Sequence, residues 1–368
     1  MNIGIDARAL GPKICGVSRV ARSLIQALGQ IDKINSYVIY TNTLADIPGL
    51  PANFRIVATG CNRMNAFNDY RFYRFLLRSD LDLLHVMHSW LPLFIPRRVK
   101  KLVTIHDIFT VTDPNFFAKR RPFHWIFRCY FWVLTWLSAV RTDVIITISR
   151  YCAEEIKRVF NLKDKRFEIV HNSTGIMPEG DDSRNAVIGD RHYLFYLGNF
   201  RSYKNVPTLV EGYALFLKLT GKNIDLVLAG NDDNTDIKAL CARLGIAGRV
   251  HFFHRPTDEC VDNLYRNARA FVFPSFYEGF GIPPIEAMSY GVPVIISDAA
   301  ALVETSGNAA LVFDRTSPED LAAKISLILN DADLRNDLVR RGYECANSYT
   351  WENSAKQLKS VYEALRGE

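Results

Sequence analysis

Short β-branched runs alternate with amphipathic helical patterns along nearly the whole chain. Strand–helix–strand order of this kind implies parallel sheets with helices on both faces. In the first half the pattern predicts strands over 3–7, 37–41, 55–58, 83–87, 102–105, 144–148 and 168–170. In the second half it predicts strands over 193–197, 225–229, 250–253, 271–273, 294–296 and 311–313, with helices between them, as at 257–268 and 318–330. One helix of the first half is explicit: Val17, Val20, Ala21, Leu24, Ile25 and Leu28 share a face at helical spacing, just after Gly16.

Between the halves, "MPEGDDSRNAVIGDR" (177–191) is polar, holds Pro and Gly, and has little periodicity. That is a linker signature, and it marks the expected hinge. The expected fold class is therefore α/β: two Rossmann-like domains facing a cleft, over 1–176 and 192–348, with a C-terminal helix over 349–368. That helix carries Trp351, Ala355, Leu358, Tyr362 and Leu365 on one stripe, so it needs a partner surface. The N-terminal domain is the candidate.

A chain of 368 residues is long enough for two such domains. Its composition, 48% hydrophobic and 23% charged, is that of a soluble globular protein. The net charge of +6 suits an enzyme that handles anionic substrates or touches an anionic surface. It is too diffuse for DNA binding, and no zinc-finger or basic-zipper pattern is present, so no nucleic-acid partner is expected. The seven cysteines are odd in number and form no Cys-x-x-Cys pair. They read as buried thiols of a reducing compartment. "MNIGIDARAL" enters a strand pattern without the regions of a signal peptide, so a cytoplasmic location is expected.

"RRPFHWIFRCYFWVLTWLSAVR" (120–141) is rich in aromatic residues, but Arg128 interrupts it. The remaining apolar run is short of the roughly 20 residues a bilayer span needs. An aromatic helix buried in a domain is the first expectation. The second is an interfacial patch, because Arg97, Arg98, Lys100, Lys101, Lys119, Arg120 and Arg121 lie nearby in sequence. An anionic membrane surface is thus a candidate partner, with the protein peripheral on its inner face.

The densest chemistry lies in "FYEGFGIPPIEAMSYGVPVIISD" (276–298). A buried strand precedes it, and "FYEGFG" reads as a loop. Pro283 and Pro284 suit the first turn of a helix, and Gly291 suits its C-terminal cap. In such a strand–loop–helix unit the loop amides and the helix N-terminus favour a phosphate. Gly279 and Gly281 let a ligand approach the backbone. Glu286 is expected in the first helical turn, where it could accept hydrogen bonds from a diol such as a ribose. A glutamate there is also favourable for the helix dipole alone.

These residues resemble the E-x7-E motif of retaining glycosyltransferases of family four, which have the GT-B fold. The similarity runs almost continuously over 257–314, and "IGIDARAL", "GVSRVARSL", "VTIHDIF" and "VIITISRYCAEEIKRVF" resemble segments of the family's N-terminal half, in order. The resemblance implies that Glu286 holds the donor ribose and that Glu278 lies near the transferred sugar. It implies that the amides of Gly279, Phe280, Gly281 and Ile282 cradle phosphate and sugar. His106 in "TIHD" is similar to the family histidine beside the reacting sugar, and Gly16 to the glycine that closes on the diphosphate. Lys204 aligns with the family lysine. The usual arginine positions hold Asn199 and Tyr203, with Arg201 a shifted substitute.

The activity implied is hexosyl transfer with retention, from a nucleotide-diphosphate sugar to a glycan or lipid-linked glycan in surface polysaccharide synthesis. GDP-mannose is the first expectation for the donor, with UDP- and dTDP-sugars as alternatives. A departing nucleoside diphosphate needs positive groups or a metal. Lys204, Arg201 and the helix N-terminus could serve without one, so no metal or cofactor is expected. Asp80 and Asp82 have Asp-x-Asp spacing but precede a first-half strand. "NDDNTD" (231–236) lacks the central glycine of a calcium loop. His85, His88, His251 and His254 lack ligand partners at metal spacing. A nicotinamide-dependent oxidoreductase would need Gly-x-Gly-x-x-Gly after the first strand, and "DARALGPKICGVSRV" lacks it. A non-catalytic sugar-nucleotide-binding protein of the same fold is the remaining rival.

Overall fold

The computed structural model describes residues 1–8, 10, 16–43, 47–62, 66–113, 124–174, 192–231 and 234–366. The expected linker at 177–191, the basic residues Lys119, Arg120 and Arg121, and part of 231–236 lie outside them. The chain divides into two compact units, Met1–Ser173 with Trp351–Glu368, and Thr174–Thr350.

The first unit runs β1 (Asn2–Asp6), α1 (Gly16–Ile31), β2 (Ser36–Thr41), β3 (Phe54–Ala58), α2 (Ala66–Arg78), β4 (Leu83–Val86), β5 (Lys100–Thr104), α3 (Phe109–Thr112), α4 (His124–Arg141), β6 (Val144–Thr147), α5 (Arg150–Phe160) and β7 (Arg166–Ile169). Its seven strands lie parallel in the order β3-β2-β1-β4-β5-β6-β7. One apolar cluster joins the sheet to α1, and another joins it to α2, α4 and α5. Strands buried on both faces read as continuous apolar runs, as in "LLHV" and "VIIT".

The second unit runs β8 (Tyr193–Leu197), α6 (Val206–Thr220), β9 (Asp225–Gly230), α7 (Thr235–Arg243), β10 (Val250–His254), α8 (Asp258–Asn267), β11 (Ala270–Phe273), α9 (Ile282–Ser289), β12 (Val294–Ser297), α10 (Ala300–Ser306), β13 (Ala310–Phe313), α11 (Pro318–Asn330) and α12 (Ala332–Ser348). Its six strands are parallel in the order β10-β9-β8-β11-β12-β13. Every expected strand of both halves is present, displaced by no more than two residues at either end.

The chain then returns to the first unit as α13 (Trp351–Arg366). The stripe that needed a partner packs there: Ala355, Leu358, Tyr362 and Leu365 are buried in the α1 cluster, with Trp351 against it. Polar contacts fix the helix in place. Ser354 Oγ donates to His171 O at 2.6 Å, and Lys100 Nζ donates to Leu365 O at 2.9 Å.

Tyr362 Oη sits 2.7 Å from His85 Nδ1, and His85 Nε2 lies 2.7 Å from Thr104 Oγ1. Burial holds the His85 imidazole down at about 3. The unfolded chain takes up this proton as pH falls through about 6.5, whereas the folded chain does not until about pH 3. The contribution to stability is therefore whole above that upper value and declines on acidification below it. Chemical unfolding followed from about pH 7.5 down to about pH 4.5 should show a loss of up to about 1.4 kcal/mol per pH unit from this residue. His85→Asn should flatten the slope, and an unchanged slope would remove His85 as its source.

Candidate active site

In the second sheet the order reverses between β8 and β11: β8 leads outward to β9, whereas β11 leads outward to β12. Loops leaving the carboxyl ends of such neighbours diverge and open a crevice, where open α/β sheets bind ligands. The loop after β8 carries Lys204, and the loop after β11 carries Glu278. The topology therefore brings together two residues far apart in sequence. Lys204 Nζ lies 2.5 Å from Glu278 Oε1, with both side chains mostly buried.

The backbone holds both loops. Phe276 N donates to Tyr203 O at 2.8 Å, tying one loop to the other. Asn205, in the left-handed region at φ 54°, donates through Nδ2 to Pro274 O at 3.1 Å and Arg315 O at 2.8 Å. Arg315 in turn donates to Phe276 O at 2.8 Å. The Lys204 ammonium also stands 4.7 Å from the centroid of the Phe273 ring, where the ring face attracts a cation.

The loop from Gly279 to Ile282 leads into α9. Gly281 has φ 92°, and a Cβ there would collide with Leu302 Cδ2. Glycine is thus required by the fold itself, besides any close approach of a ligand. Thr305 Oγ1 donates to Phe280 O at 2.7 Å. Across a trans peptide the Gly281 N–H then points to the opposite side. The first four amides of a helix have no partner within it. Two of these positions in α9 are Pro283 and Pro284, which have no N–H to offer. Anion-binding capacity at this helix start therefore falls on the amides up to Ile282.

Glu286 departs from its expected place. It is not in the first turn of α9, which carries no acidic residue. The helix begins at Ile282, so Glu286 falls one turn in, and it is 5% exposed. Dipole compensation in the first turn is therefore not the reason for a carboxylate here. A buried carboxylate needs hydrogen bonds, and Tyr265 Oη donates one to Glu286 Oε2 at 3.1 Å. Burial and the adjacent carboxylate raise the Tyr265 phenol well above its ordinary value, so it remains a donor. Tyr265 stacks on Tyr290 with centroids 5.2 Å apart, and Tyr290 Oη donates to Asp262 at 2.6 Å. Sequence reasoning missed Tyr265, because nothing local marks a tyrosine whose partner comes from a later helix.

Arg201 is exposed and opens the turn that ends at Lys204, whose N–H donates to Arg201 O at 2.9 Å. The positions of the family arginine bond to each other, Asn199 Nδ2 to Tyr203 Oη at 3.1 Å.

Gly16 and His106 belong to the first unit. Gly16 is the first residue of α1, and His106 follows β5. His106 is partly buried, and burial holds its imidazole down at about 4, against a hydrogen bond with the Met87 backbone that raises it. It is neutral at physiological pH. The first sheet reverses its order between β1 and β4. A cluster that sequence reasoning did not single out lies at that point. Arg8 makes paired hydrogen bonds to Asp6 at 2.9 and 2.8 Å, with its guanidinium 3.8 Å over the Phe72 ring. His88 Nε2 is 4.0 Å from Asp6 Oδ2. Burial pushes the Asp6 carboxyl up, but Arg8 and His88 outweigh it and hold it below the usual range.

Among the described residues no group of three or more His, Cys, Asp or Glu could hold a metal ion. Asp82 accepts from Asn2 N at 2.8 Å, and Asp80 pairs with Arg98. His251 does have a carboxylate partner, Asp225 at 2.8 Å on the neighbouring strand, but Arg249 shares it.

Comparisons with known proteins bear on the family and the fold. Residues 14–176 match the model of Glycosyltransferase Family 4, and residues 179–345 match that of Glycosyl transferases group 1. The chain is 31% identical to O-antigen chain mannosyltransferase B of Escherichia coli over 282 residues, covering 74% of this chain and 72% of that protein. It is 27% identical to O-antigen chain mannosyltransferase RfbU of Salmonella typhimurium, covering 72% and 69%. Among solved structures it is similar in fold to a sucrose-phosphate synthase from Thermosynechococcus elongatus (TM-score 0.77, 20% identity, 100% and 99% covered). It is likewise similar to WaaG, a glycosyltransferase involved in lipopolysaccharide biosynthesis (TM-score 0.71, 16% identity, 98% and 99% covered). Both are GT-B proteins built from two parallel-sheet Rossmann-like domains. With both halves matched by glycosyltransferase models and a mannosyltransferase above 30% identity spanned over most of its length, the chain belongs to the group 1 and family 4 glycosyltransferases.

Proposed function

We propose that this glycosyltransferase moves a mannosyl group from GDP-mannose to a lipid-linked glycan in O-antigen or related surface polysaccharide synthesis, with retention and without a metal. The observation that carries the reading is the Lys204–Glu278 pair at the switch point of the second sheet, beside the 279–282 amides. Lys204 is placed to meet the negative charge that develops on the departing diphosphate, with Arg201 at its rim. Glu286 takes the ribose hydroxyls and Glu278 addresses the transferred sugar. Gly16 and His106 keep the roles implied by the resemblance, at the diphosphate and at the reacting sugar. His106, neutral at physiological pH, would act as a hydrogen-bonding group and not as a cation. The acceptor attacks on the face that the diphosphate leaves, and a leaving phosphate oxygen takes the acceptor proton. No glutamate or aspartate is assigned as a covalent nucleophile. The mannosyl and O-antigen assignments take support from the relatives named for those activities. The acceptor places the enzyme on the cytoplasmic side of a membrane.

A panel of GDP-, UDP-, dTDP- and ADP-sugars, read by thermal shift and donor hydrolysis, tests the donor. GDP-mannose should stabilise the protein most and be hydrolysed slowly. Preference for another nucleotide overturns the donor, and stabilisation without any hydrolysis or transfer favours a binding protein. Activity lost in EDTA and restored by Mg²⁺ or Mn²⁺ would overturn metal independence.

A further inference from the structure

The aromatic helix α4 buries its large side chains only in part, contrary to the first expectation: Phe131 and Trp136 pack against the core, but others do not. Its fully buried residues are small, Thr135, Ser138 and Ala139, whereas Trp125, Ile126, Tyr130, Trp132 and Val133 are exposed. Its polar groups serve the inner side: Thr135 accepts from Trp90 Nε1 at 3.1 Å, and Ser138 accepts from Leu91 N at 2.9 Å. No helix among the described residues is long and apolar enough to cross a membrane. The apolar side of α4 thus lies along the surface of the protein.

On the same side of the sheet, α2 repeats the pattern. It buries Phe72 and Leu76 and exposes Phe67 (69%), Tyr70 (53%) and Leu77 (52%). Arg71, Arg74 and Arg78 are exposed among them at helical spacing, and none makes an ion pair among the described residues. The segment between β4 and β5 joins the two helices. The Phe94 ring lies 6.2 Å from that of Tyr70, and Arg141 at the end of α4 donates to Leu93 O at 2.8 Å. Leu93 and Phe94 are themselves exposed. Neither helix exposes an acidic side chain: α4 has none, and Asp69, the one acid of α2, is buried.

Of the basic residues that sequence proximity had set beside α4, three are engaged elsewhere, Arg97 is exposed, and Lys119, Arg120 and Arg121 lie outside the described residues. Lys100 bonds to Leu365 O, Lys101 pairs with Asp143, and Arg98 pairs with Asp80. Among the described residues, the arginines set between these exposed apolar side chains come from α2, which is distant from α4 in sequence.

We propose that the face formed by α2, Leu93, Phe94 and α4 docks on an anionic lipid bilayer. Its aromatic rings would enter the headgroup region, with Arg71, Arg74 and Arg78 on lipid phosphates. Charge complementarity selects this occupant: an apolar face interleaved with arginines and free of exposed carboxylates matches the chemistry of an anionic interface. The assignment is independent of which sugar nucleotide the enzyme uses.

The test is co-sedimentation of the full chain with phosphatidylcholine vesicles, with and without about a third phosphatidylglycerol. Binding should require the anionic lipid and weaken in high salt, because exposed charges are screened. Exchanging all three arginines for glutamate (R71E, R74E and R78E) should lower partitioning by about a hundred-fold or more, at roughly five-fold per lost cation. Trp125→Ser with Ile126→Ser, at two exposed positions, should lower it as well. Both variants should keep the wild-type melting temperature and donor hydrolysis in solution. Equal recovery with and without anionic lipid, no recovery with either, or wild-type binding by the arginine variant overturns the proposal. So does a concentration-dependent dimer in sedimentation velocity that these same substitutions abolish, which would assign the face to a second copy of the chain.

Discussion

Lys204→Met should lower transfer by about a thousand-fold while leaving the fold intact. Removing one preorganised donor from a developing charge typically costs about 10²–10³ in turnover. Here the loss is compounded, because the substitution leaves the Glu278 carboxylate mostly buried without its ammonium 2.5 Å away. That carboxylate would then stand close to the departing diphosphate as a like charge. A double-mutant cycle separates the two effects. Lys204→Met combined with Glu278→Gln should recover part of the loss if repulsion contributes, but it should stay well below wild type because the cation is gone. Wild-type turnover in purified Lys204→Met, with an unchanged melting temperature, would remove Lys204 from the chemistry and leave the pair a structural tie between two loops.

Glu286→Gln should weaken donor binding by about 10²–10³, since a charged acceptor contributes about 1.5–3 kcal/mol per hydrogen bond and a ribose diol offers two. The amide preserves the shape and can still accept from Tyr265, so stability should change little. Calorimetric titration with nucleoside diphosphates that possess or lack the ribose hydroxyls gives the decisive comparison. The wild type should discriminate between them, and Glu286→Gln should not. Tyr265→Phe tests the support behind the carboxylate. It removes one hydroxyl that hydrogen-bonds Glu286, so donor affinity should fall by about ten-fold or less while discrimination survives. If Glu286→Gln discriminates like the wild type, the glutamate is a core residue satisfied by Tyr265 and has no role in binding.

The chain shows unevenly how far local pattern carries. The strands were legible because a parallel strand buried on both faces is a short continuous apolar run bounded by polar turns. The C-terminal stripe from Trp351 to Leu365 announced a missing partner, and α13 supplies the matching contacts in the first unit. The strand–loop–helix frame around Glu278 and Glu286 was likewise readable from its glycines and prolines. Three features were not. Glu286 was expected one turn too early, because the helix start is set by Gly281 at φ 92° and not by the prolines alone. Tyr265 was invisible, because its hydrogen bond to Glu286 joins two helices. The aromatic helix α4 was expected to be buried, yet only Thr135, Ser138 and Ala139 are fully buried, Phe131 and Trp136 are partly so, and Trp125, Tyr130 and Trp132 are exposed.

Residue order alone therefore determined which elements form, that both sheets are parallel, and which loop bears glycines, prolines and carboxylates. Those properties depend on backbone propensity and on the period of apolar residues, and both are local. Only the tertiary structure decided that Lys204 meets Glu278, that Tyr265 supports Glu286, and that the arginines of α2 share a face with the aromatic residues of α4. Each of these juxtapositions depends on which strands become neighbours and where a sheet reverses its order, and no short stretch of sequence encodes that choice.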